Sequence, residues 1–231
     1  MSVEQIYNGI TMVLNSARFR DLLSSIWETL ILLGITGTIL TILGLLLGYT
    51  LYITEPKGLF ENNKGLMILN RGIAIITDTL RSIPFILLII FIMPITLFFM
   101  RTTLGWQAAV PALIISATPF YARISYNAFK EIPKGNIEAL FSLGTSRIKI
   151  FLIIIKEALP NLIKGLTVTL VTLIGFMAAA GAVGTGGLGA LAVERFWWDQ
   201  TVSFIAAGLL LVFVYIIQFT GDFIAKSVDK R

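Results

Sequence analysis

Five runs of predominantly apolar residues dominate this sequence, and each is long enough to cross a lipid bilayer as a helix. A hydrocarbon core about 30 Å thick requires roughly 20 apolar residues at the helical rise. The runs cover residues 26–53, 73–99, 106–128, 162–180 and 202–224. Inside lipid a segment must satisfy its own backbone polar groups, so the runs predict helices. We therefore predict an all-α, polytopic membrane protein with about five transmembrane helices, folded as a single membrane domain over residues 1–231.

The scarcity of charge supports lipid as the solvent for much of this fold. Charged residues make up 13% of the chain and hydrophobic residues 56%, whereas about 25% of the residues in a soluble protein are charged. There is no cysteine and no histidine, which excludes disulfides, Cys/His metal sites, thiol nucleophiles and imidazole catalysis. We predict no catalytic residue and no metal site. The formal net charge of +5 is dispersed among the apolar runs, so we assign it to membrane orientation and predict no nucleic-acid partner.

The positions of lysine and arginine predict which way the chain faces. The first connection, the connection between the third and fourth runs, and the C-terminal tail are the richest. Their cations are Lys57, Lys64, Arg71, Arg123, Lys130, Lys134, Arg147, Lys149, Lys156, Lys226, Lys230 and Arg231. The positive-inside rule places these regions in the cytoplasm. The N-terminus is then outside and the C-terminus inside, as an odd number of spans requires. The N-terminal segment lacks the pattern of a secretory signal, so we expect the first span to be retained.

The connection between the third and fourth runs has the pattern of a folded helical elbow over about residues 131–149. Asn136 is a residue type that caps helices, and Glu138 would lie in the first turn of a helix beginning near Ile137. Gly144 permits a turn between two short helices. The apolar positions at helical spacing are Ile137, Leu140, Phe141 and Ile148. An exposed apolar face on such an elbow predicts a protein partner.

This elbow resembles the EAA loop of the permeases of ATP-binding-cassette (ABC) importers. Glu138, Ala139, Gly144 and Ile154 stand at the spacing of that motif. Leu140 replaces the second alanine of the motif, and Lys156-Glu157 occupies its Leu-Pro position. The resemblance implies a pair of coupling helices that insert into a cleft of a cytoplasmic ATPase. The coupling residues would be Ile137, Glu138, Ala139, Leu140, Gly144, Thr145 and Arg147.

Five further stretches resemble the permease of methionine importers, and they extend over most of the chain. They are residues 27–30, 81–85, 157–160, 181–189 and 218–222. The resemblance implies the type I importer permease fold in a bacterial inner membrane. It also implies a homodimer, two ABC ATPase subunits, and an extracytoplasmic substrate-binding lipoprotein. The chain would carry methionine or a related amino acid and would be no enzyme. It would bind no cofactor itself, because the partner ATPase would use the ATP and Mg²⁺.

Charged and kinking residues in the second run are candidates for the translocation pathway. Asp78 and Arg81 lie three residues apart, and charges within a membrane either pair with one another or face a cavity. A structural pair and a substrate contact are therefore both open. Pro84 and Pro94 would bend this helix, which fits gating but is also common in membrane helices. The pathway or gate candidates are Asp78, Arg81, Pro84, Phe85 and Met177. For the small residues after Met177, a dimer interface is the alternative.

The glycine-rich run at residues 181–189 does not have the pattern of a nucleotide-binding loop. It lacks the Gly-Lys-Ser/Thr ending and follows a membrane run rather than a strand. We predict irregular chain at the outer mouth of the pathway. Its outward residues Gly184, Gly186, Gly187 and Glu194 either contact the binding protein or only connect the fourth and fifth runs. Trp106, Trp197 and Trp198 are placed as interfacial anchors.

An ion-coupled secondary transporter or channel for a small polar solute is the alternative function. Such proteins carry intramembrane acidic relays or internal repeats. This sequence has one pair of charges within a run and no convincing repeat of segments. Co-purification with an ATPase would favour the importer, and uptake driven by an ion gradient alone would favour the alternative.

Overall fold

The computed structural model describes residues 17–55 and 64–229, and all regular structure in those residues is helical. The helices are α1 (Ala17–Ile53), α2 (Lys64–Ser82), α3 (Phe85–Met100), α4 (Trp106–Lys130), α5 (Lys134–Ser142), α6 (Arg147–Gly181), α7 (Gly187–Arg195) and α8 (Gln200–Val228). Within that part of the chain, α1, α4, α6 and α8 are long and apolar enough to cross a membrane, and α2 with α3 gives a fifth span if counted together. The all-α, polytopic prediction is confirmed. Lys57, Lys230, Arg231 and the first 16 residues, which entered the prediction of orientation, lie outside the described residues.

The helices extend well beyond the apolar runs. α1 begins at Ala17 and α6 at Arg147, whereas the apolar runs begin at residues 26 and 162. Hydropathy identifies only the apolar part of a helix. The helical hydrogen bonding can continue beyond that part into polar residues. The predicted second helix of the elbow is therefore not short, because it is the first part of α6.

The second apolar run is broken by its first proline. Residues 73–99 were predicted as one kinked helix, but α2 ends at Ser82 and α3 begins at Phe85. A proline disfavours helical geometry in the residue before it and has no N–H to donate to the preceding turn. Pro84 instead starts α3, since its carbonyl accepts from the N–H groups of Leu87 and Leu88. Pro94 lies inside α3 and does not end it.

The third apolar run is a continuous helix despite its two prolines. α4 passes through Pro111 and Pro119 without a break. It is also the most buried of the four long helices. Its weak hydropathy therefore reflects a helix that packs mainly against protein, where neighbouring helices can compensate for the hydrogen bonds that proline removes.

The described residues form two compact units. The first contains the chain up to Ile39, Ile83–Ser116 and Leu170–Ile217, and the second contains Leu40–Ser82, Ala117–Thr169 and the chain from Gln218. A core in the first unit joins α1, α7 and α8 through Leu22, Leu188, Leu191, Val202 and Ala206. A core in the second unit joins α1, α4, α5 and α6 through Tyr52, Ala128, Phe129, Ile132, Ile137, Ile150, Ile154, Ala158 and Leu162.

Candidate functional site

The elbow helix α5 begins at a proline rather than at an asparagine cap. Pro133 precedes the helix with φ −58°, and no side chain caps the helix N-terminus. Proline suits a helix start because its fixed φ is preorganised and its missing N–H would have no helical partner there. The N–H of Asn136 donates to the carbonyl of Pro133 at 3.1 Å. The predicted Asn136 cap is therefore wrong, and Glu138 lies beyond the first turn.

One side of α5 is anchored in the core of the second unit. Ile137 is 1% exposed and belongs to the cluster that joins α1, α4, α5 and α6. Leu140, one turn further along, is partly buried against the same cluster. Burying an isoleucine side chain stabilises by about 1.5–3 kcal/mol. Ile137 therefore fixes the position of α5 and is not available to contact another protein.

Polar contacts hold the entry to the elbow as well. The ammonium of Lys130, at the end of α4, contacts Glu55 Oε1 at 2.8 Å. In the next residue, the Glu131 carboxylate accepts a hydrogen bond from Asn161 Nδ2 on α6. The short connection from α4 to α5 is thus tied to both neighbouring segments.

The elbow helix ends in a Schellman motif that depends on Gly144. The N–H of Thr145 donates to the carbonyl of Leu140 at 3.1 Å, and the N–H of Gly144 donates to that of Phe141 at 2.9 Å. These are the two bonds of the motif, which requires a left-handed residue at the position of Gly144. Gly144 has φ +71°. This glycine thus makes the turn after which α6 begins.

Beyond its buried residues, the elbow exposes several apolar side chains. Phe141 is 38% exposed, Leu143 80% and Ile148 75%. Glu138, Ala139 and Arg147 are also exposed, whereas Thr145 is half-buried. We name Glu138, Ala139, Phe141, Leu143, Arg147 and Ile148 the elbow surface. With nine residues, α5 is too short to cross a bilayer.

Leu143 belongs to this surface although the sequence reasoning did not single it out. It follows Ile137 by six residues, which places it about 120° away around the helix. Its exposure could have been predicted from its position just before the helix-ending glycine, away from the buried side of α5. The partly buried Leu140 contributes to the packing of α5 more than to the elbow surface.

In the first unit, two side chains of α1 cap the N-terminus of α7. The carboxylate of Glu28 accepts from the N–H of Gly187 at 2.7 Å, and the hydroxyl oxygen of Thr29 accepts from the N–H of Leu188 at 2.9 Å. Free N–H groups at a helix start attract such acceptors, and an acid there also complements the helix dipole. The prediction of irregular chain over residues 181–189 is wrong at Gly181, the last residue of α6, and from Gly187 onward, where α7 begins.

Two of the candidate outward glycines, Gly186 and Gly187, are held close to α1, and Gly184 is bonded to Gly105. Gly186 and Gly187 have φ of +74° and +78°, and a Cβ on Gly186 would lie 2.7 Å from Glu28 Oε2. The carbonyl of Gly184 accepts from the N–H of Gly105 at 3.0 Å. Glu194 is exposed near the other end of α7, about 10 Å along the helix from Gly187 at the helical rise. The structure thus groups the three glycines but not Glu194.

Two ion pairs join the start of α1 to the connection between α7 and α8. Arg195 contacts Asp21 at 2.7 Å, and Arg18 contacts Asp199 at 3.0 Å. These groups are partly exposed, so each pair contributes about 0–1 kcal/mol. Trp197 and Trp198 stand in the same connection with highly exposed side chains, and Trp106 begins α4. Their role as interfacial anchors stays a prediction.

The pathway candidates fall into separate groups. In the second unit, Arg81 Nη1 lies 3.9 Å from Asp78 Oδ1, and its guanidinium lies over the ring of Phe120 at 5.5 Å. This favours the structural pair among the two alternatives. In the first unit, Phe85 is buried and stacks on Phe176 with ring centroids 4.9 Å apart. Pro84, next to Phe85, is exposed.

Met177 is buried in the first unit beside a tight contact between α6 and α7. A Cβ on Gly189 would lie 2.5 Å from the Cα of Ala178, so the two backbones touch. Small residues permit such close approach. This contact within the chain involves Ala178, and the dimer interface for the small residues after Met177 stays an open alternative. Over residues 17–55 and 64–229, no group of three or more His, Cys, Asp or Glu side chains could hold a metal ion.

The helices and the elbow define the chain as a polytopic helical membrane protein with a folded protrusion suited to a protein partner. Comparison with known proteins adds the family. Residues 62–231 match the model of the binding-protein-dependent transport system inner membrane component. The chain belongs to this family, whose members are transport subunits rather than enzymes. It is a multi-pass protein of the bacterial inner membrane, and the predicted resemblance to ABC-importer permeases is confirmed, whereas the ion-coupled alternative gains no support.

Relatives and solved structures agree with this assignment. The chain is 38% identical over 213 residues to the probable D-methionine transport system permease protein MetI of Vibrio cholerae, covering 91% of this chain and 93% of that protein. It is 50% identical over 155 residues to the methionine import system permease protein MetP of Bacillus subtilis, covering 65% and 69%. The inward-facing MetNI methionine ABC transporter gives a TM-score of 0.85 at 38% identity, covering 90% of this chain and 96% of that one.

Proposed function

We propose that this chain forms the translocation pathway for methionine or a closely related amino acid in an ABC importer. The substrate is supported by the relatives, which carry methionine in their names at 38–50% identity. The single observation that supports the coupling role is the elbow surface. It presents apolar side chains on a short helix that Ile137 and the Schellman turn hold in place.

The proposal includes the assembly that such a permease requires. Two copies of this chain enclose the pathway, two ATPase subunits bind ATP and Mg²⁺ in the cytoplasm, and an extracytoplasmic lipoprotein delivers the substrate. The chain lies in the membrane as one permease domain, with the N-terminus outside and the C-terminus inside. The elbow surface then faces the ATPase, and Gly184, Gly186, Gly187 and Glu194 face the binding protein.

The mechanism follows from how the elbow is attached. ATP binding draws the two ATPase subunits together, and each carries an elbow with it. Because Ile137 and the contacts of Lys130 and Glu131 fix α5 to α1, α4 and α6, this motion moves the long helices and opens the pathway outward. Hydrolysis returns the inward state. The energy comes from the different contacts that the nucleotide-bound partner makes in the two states.

Charge reversal at the elbow surface tests the coupling role. Glu138→Lys places a cation on the exposed side of α5 without touching the buried core, so insertion and assembly are expected to persist. Uptake of labelled methionine by proteoliposomes should fall at least tenfold while ATP hydrolysis continues. A tenfold loss corresponds to about 1.4 kcal/mol of coupling free energy. The matched control, Glu157→Lys, reverses an exposed acid of α6 outside the elbow surface and should leave uptake close to wild type. Wild-type coupling in Glu138→Lys would contradict the proposal.

A further inference from the structure

Helix α2 carries a groove that the proposed transport function does not use. Its volume is about 590 Å³, and its described lining consists of Lys64, Met67, Ile68, Asn70, Arg71 and Ala74. Ligand sites in proteins have volumes of about 300–1,000 Å³, so the groove has the size of a binding site. Its chemistry is mixed, because two cations stand beside apolar side chains.

Asn70 fixes the orientation of α2 and thus of the groove. Its Nδ2 donates to the carbonyl of Leu51 at 2.8 Å and to the hydroxyl of Thr54 at 2.9 Å, both at the end of α1. An asparagine amide has two hydrogens to donate, and both are engaged here. The groups left to bind an anionic ligand are therefore Lys64 and Arg71.

The two cations share one face of α2 with an apolar stripe. Lys64 and Arg71 are seven residues apart, which separates them by ~10.5 Å along the axis and ~20° around it. Ile68 and Ile75 lie on the same stripe and are 74% and 61% exposed. Asp78, the next charge on this face, is engaged by Arg81. The groove end of the face is thus positive and apolar at once.

We propose that this groove binds the headgroup of an anionic phospholipid from the cytoplasmic leaflet. The phosphate would lie between Lys64 and Arg71, and the acyl chains would follow the stripe of Ile68 and Ile75. Basic pockets on the cytoplasmic side of membrane proteins bind such headgroups. This inference rests on the proposed orientation, which places the start of α2 on the cytoplasmic side.

The same chemistry argues against two other occupants. A free inorganic anion would gain nothing from the apolar stripe beside the cations. A second copy of the chain, related by a two-fold axis, would bring the same patch to both sides of the interface. Lys64 and Arg71 would face like charges in such an interface if the axis passed through the groove. A lipid matches both the cations and the apolar stripe.

Lipid retention measured by native mass spectrometry tests the inference. The full-length chain, with any ATPase subunit that co-purifies, is incubated in detergent with phosphatidylglycerol or phosphatidylcholine. Wild type should retain more phosphatidylglycerol than phosphatidylcholine. The double variant Lys64→Gln with Arg71→Gln should weaken that preference by about fivefold per cation. The control pair, Lys156→Gln with Lys226→Gln, removes two exposed cations away from the groove. It lowers the formal charge of +5 by the same two units and should keep the preference.

Four results would overturn the inference. They are equal retention of the two lipids by wild type, an equal loss in the control pair, displacement of the lipid by inorganic phosphate, and a disulfide between copies of Ile68→Cys. The chain contains no native cysteine, so such a disulfide would identify a dimer interface. If the protein transports methionine but shows no preference between the two lipids, this inference fails and the proposed function stands. Labelling of Ile68→Cys by an impermeant reagent from outside the cell would instead overturn the orientation and the proposed function.

Discussion

At the scale of single residues, Glu28 shows how a charge within an apolar run gains a structural role. Glu28 lies within the first apolar run, and such charges find partners within the protein. Its partner, the N–H of Gly187, is distant in the sequence and belongs to a helix that the glycine-rich pattern did not predict. The charge was therefore visible in the sequence, but its function as a cap was not.

Removing the Glu28 cap should destabilise the first unit. In Glu28→Ala the partly buried N–H of Gly187 loses its acceptor, which costs about 1–3 kcal/mol. Glu28→Gln keeps an acceptor oxygen and should recover most of this loss. The apparent Tm of the purified protein in detergent measures both variants. Glu194→Ala is the control, because it removes an acid from the C-terminal end of the same helix, where the helix dipole does not favour it. An unchanged Tm in Glu28→Ala, or an equal decrease in Glu194→Ala, would contradict the cap.

Other residue-level predictions depended on how the chain turns. The turn at Gly144 could be predicted because glycine is the residue that most readily ends a helix in the left-handed region. The start of α5 was misplaced because Asn136 and Pro133 are both residues of helix starts. Local preferences do not decide between two such signals three residues apart.

At the scale of elements, the elbow is a short helix whose ends determine its use. Pro133 begins it, Gly144 ends it, and one buried side leaves the other exposed. Its end at Gly144 was predicted from the sequence, whereas its start was not, because the predicted start lay near Ile137 and the helix begins at Lys134. The second part of the elbow is the start of the long helix α6, and this was not predicted. The helix from Arg147 packs Ile150 and Ile154 in the same core as Ile137, and such packing cannot be read from the sequence.

Two glycines of the elbow provide a matched pair for testing this geometry. Gly144→Ala places a Cβ on a residue with φ +71°, which costs about 1 kcal/mol. It should shift α5 and reduce methionine uptake per ATP hydrolysed severalfold. Gly135→Ala lies inside α5, where a Cβ meets no atom within 4 Å, and should be neutral or stabilise by about 0.5–1 kcal/mol. Equal behaviour of the two variants in a proteoliposome assay would contradict the role of the turn.

The break between α2 and α3 shows the limit of hydropathy at this scale. A window of apolar residues cannot distinguish a kinked helix from two helices. Pro84 and Pro94 look alike in the sequence, yet only Pro84 separates two helices. The reverse holds for α4, whose prolines leave the helix intact. Pro84 breaks the run through its own backbone restrictions, whereas the prolines of α4 lie in a helix that packs mainly against protein.

At the scale of the whole molecule, apolar runs and charge positions were sufficient to predict an all-α membrane protein of about five spans. The division into two compact units was not predictable, because each long helix runs through residues of both. The elbow surface belongs to the second unit and the cap of α7 to the first. The proposed function assigns the elbow surface to the ATPase and the glycines before α7 to the binding protein.

The side of the membrane on which the elbow surface lies is the most direct test of this account. A single cysteine is introduced at Phe141 or at Trp198, both exposed, in a chain that has no cysteine of its own. In intact cells an impermeant maleimide should label Trp198→Cys only. Phe141→Cys should react only after permeabilisation and should cross-link to the ATPase subunit. Labelling of Phe141→Cys from outside intact cells would contradict the coupling role of the elbow.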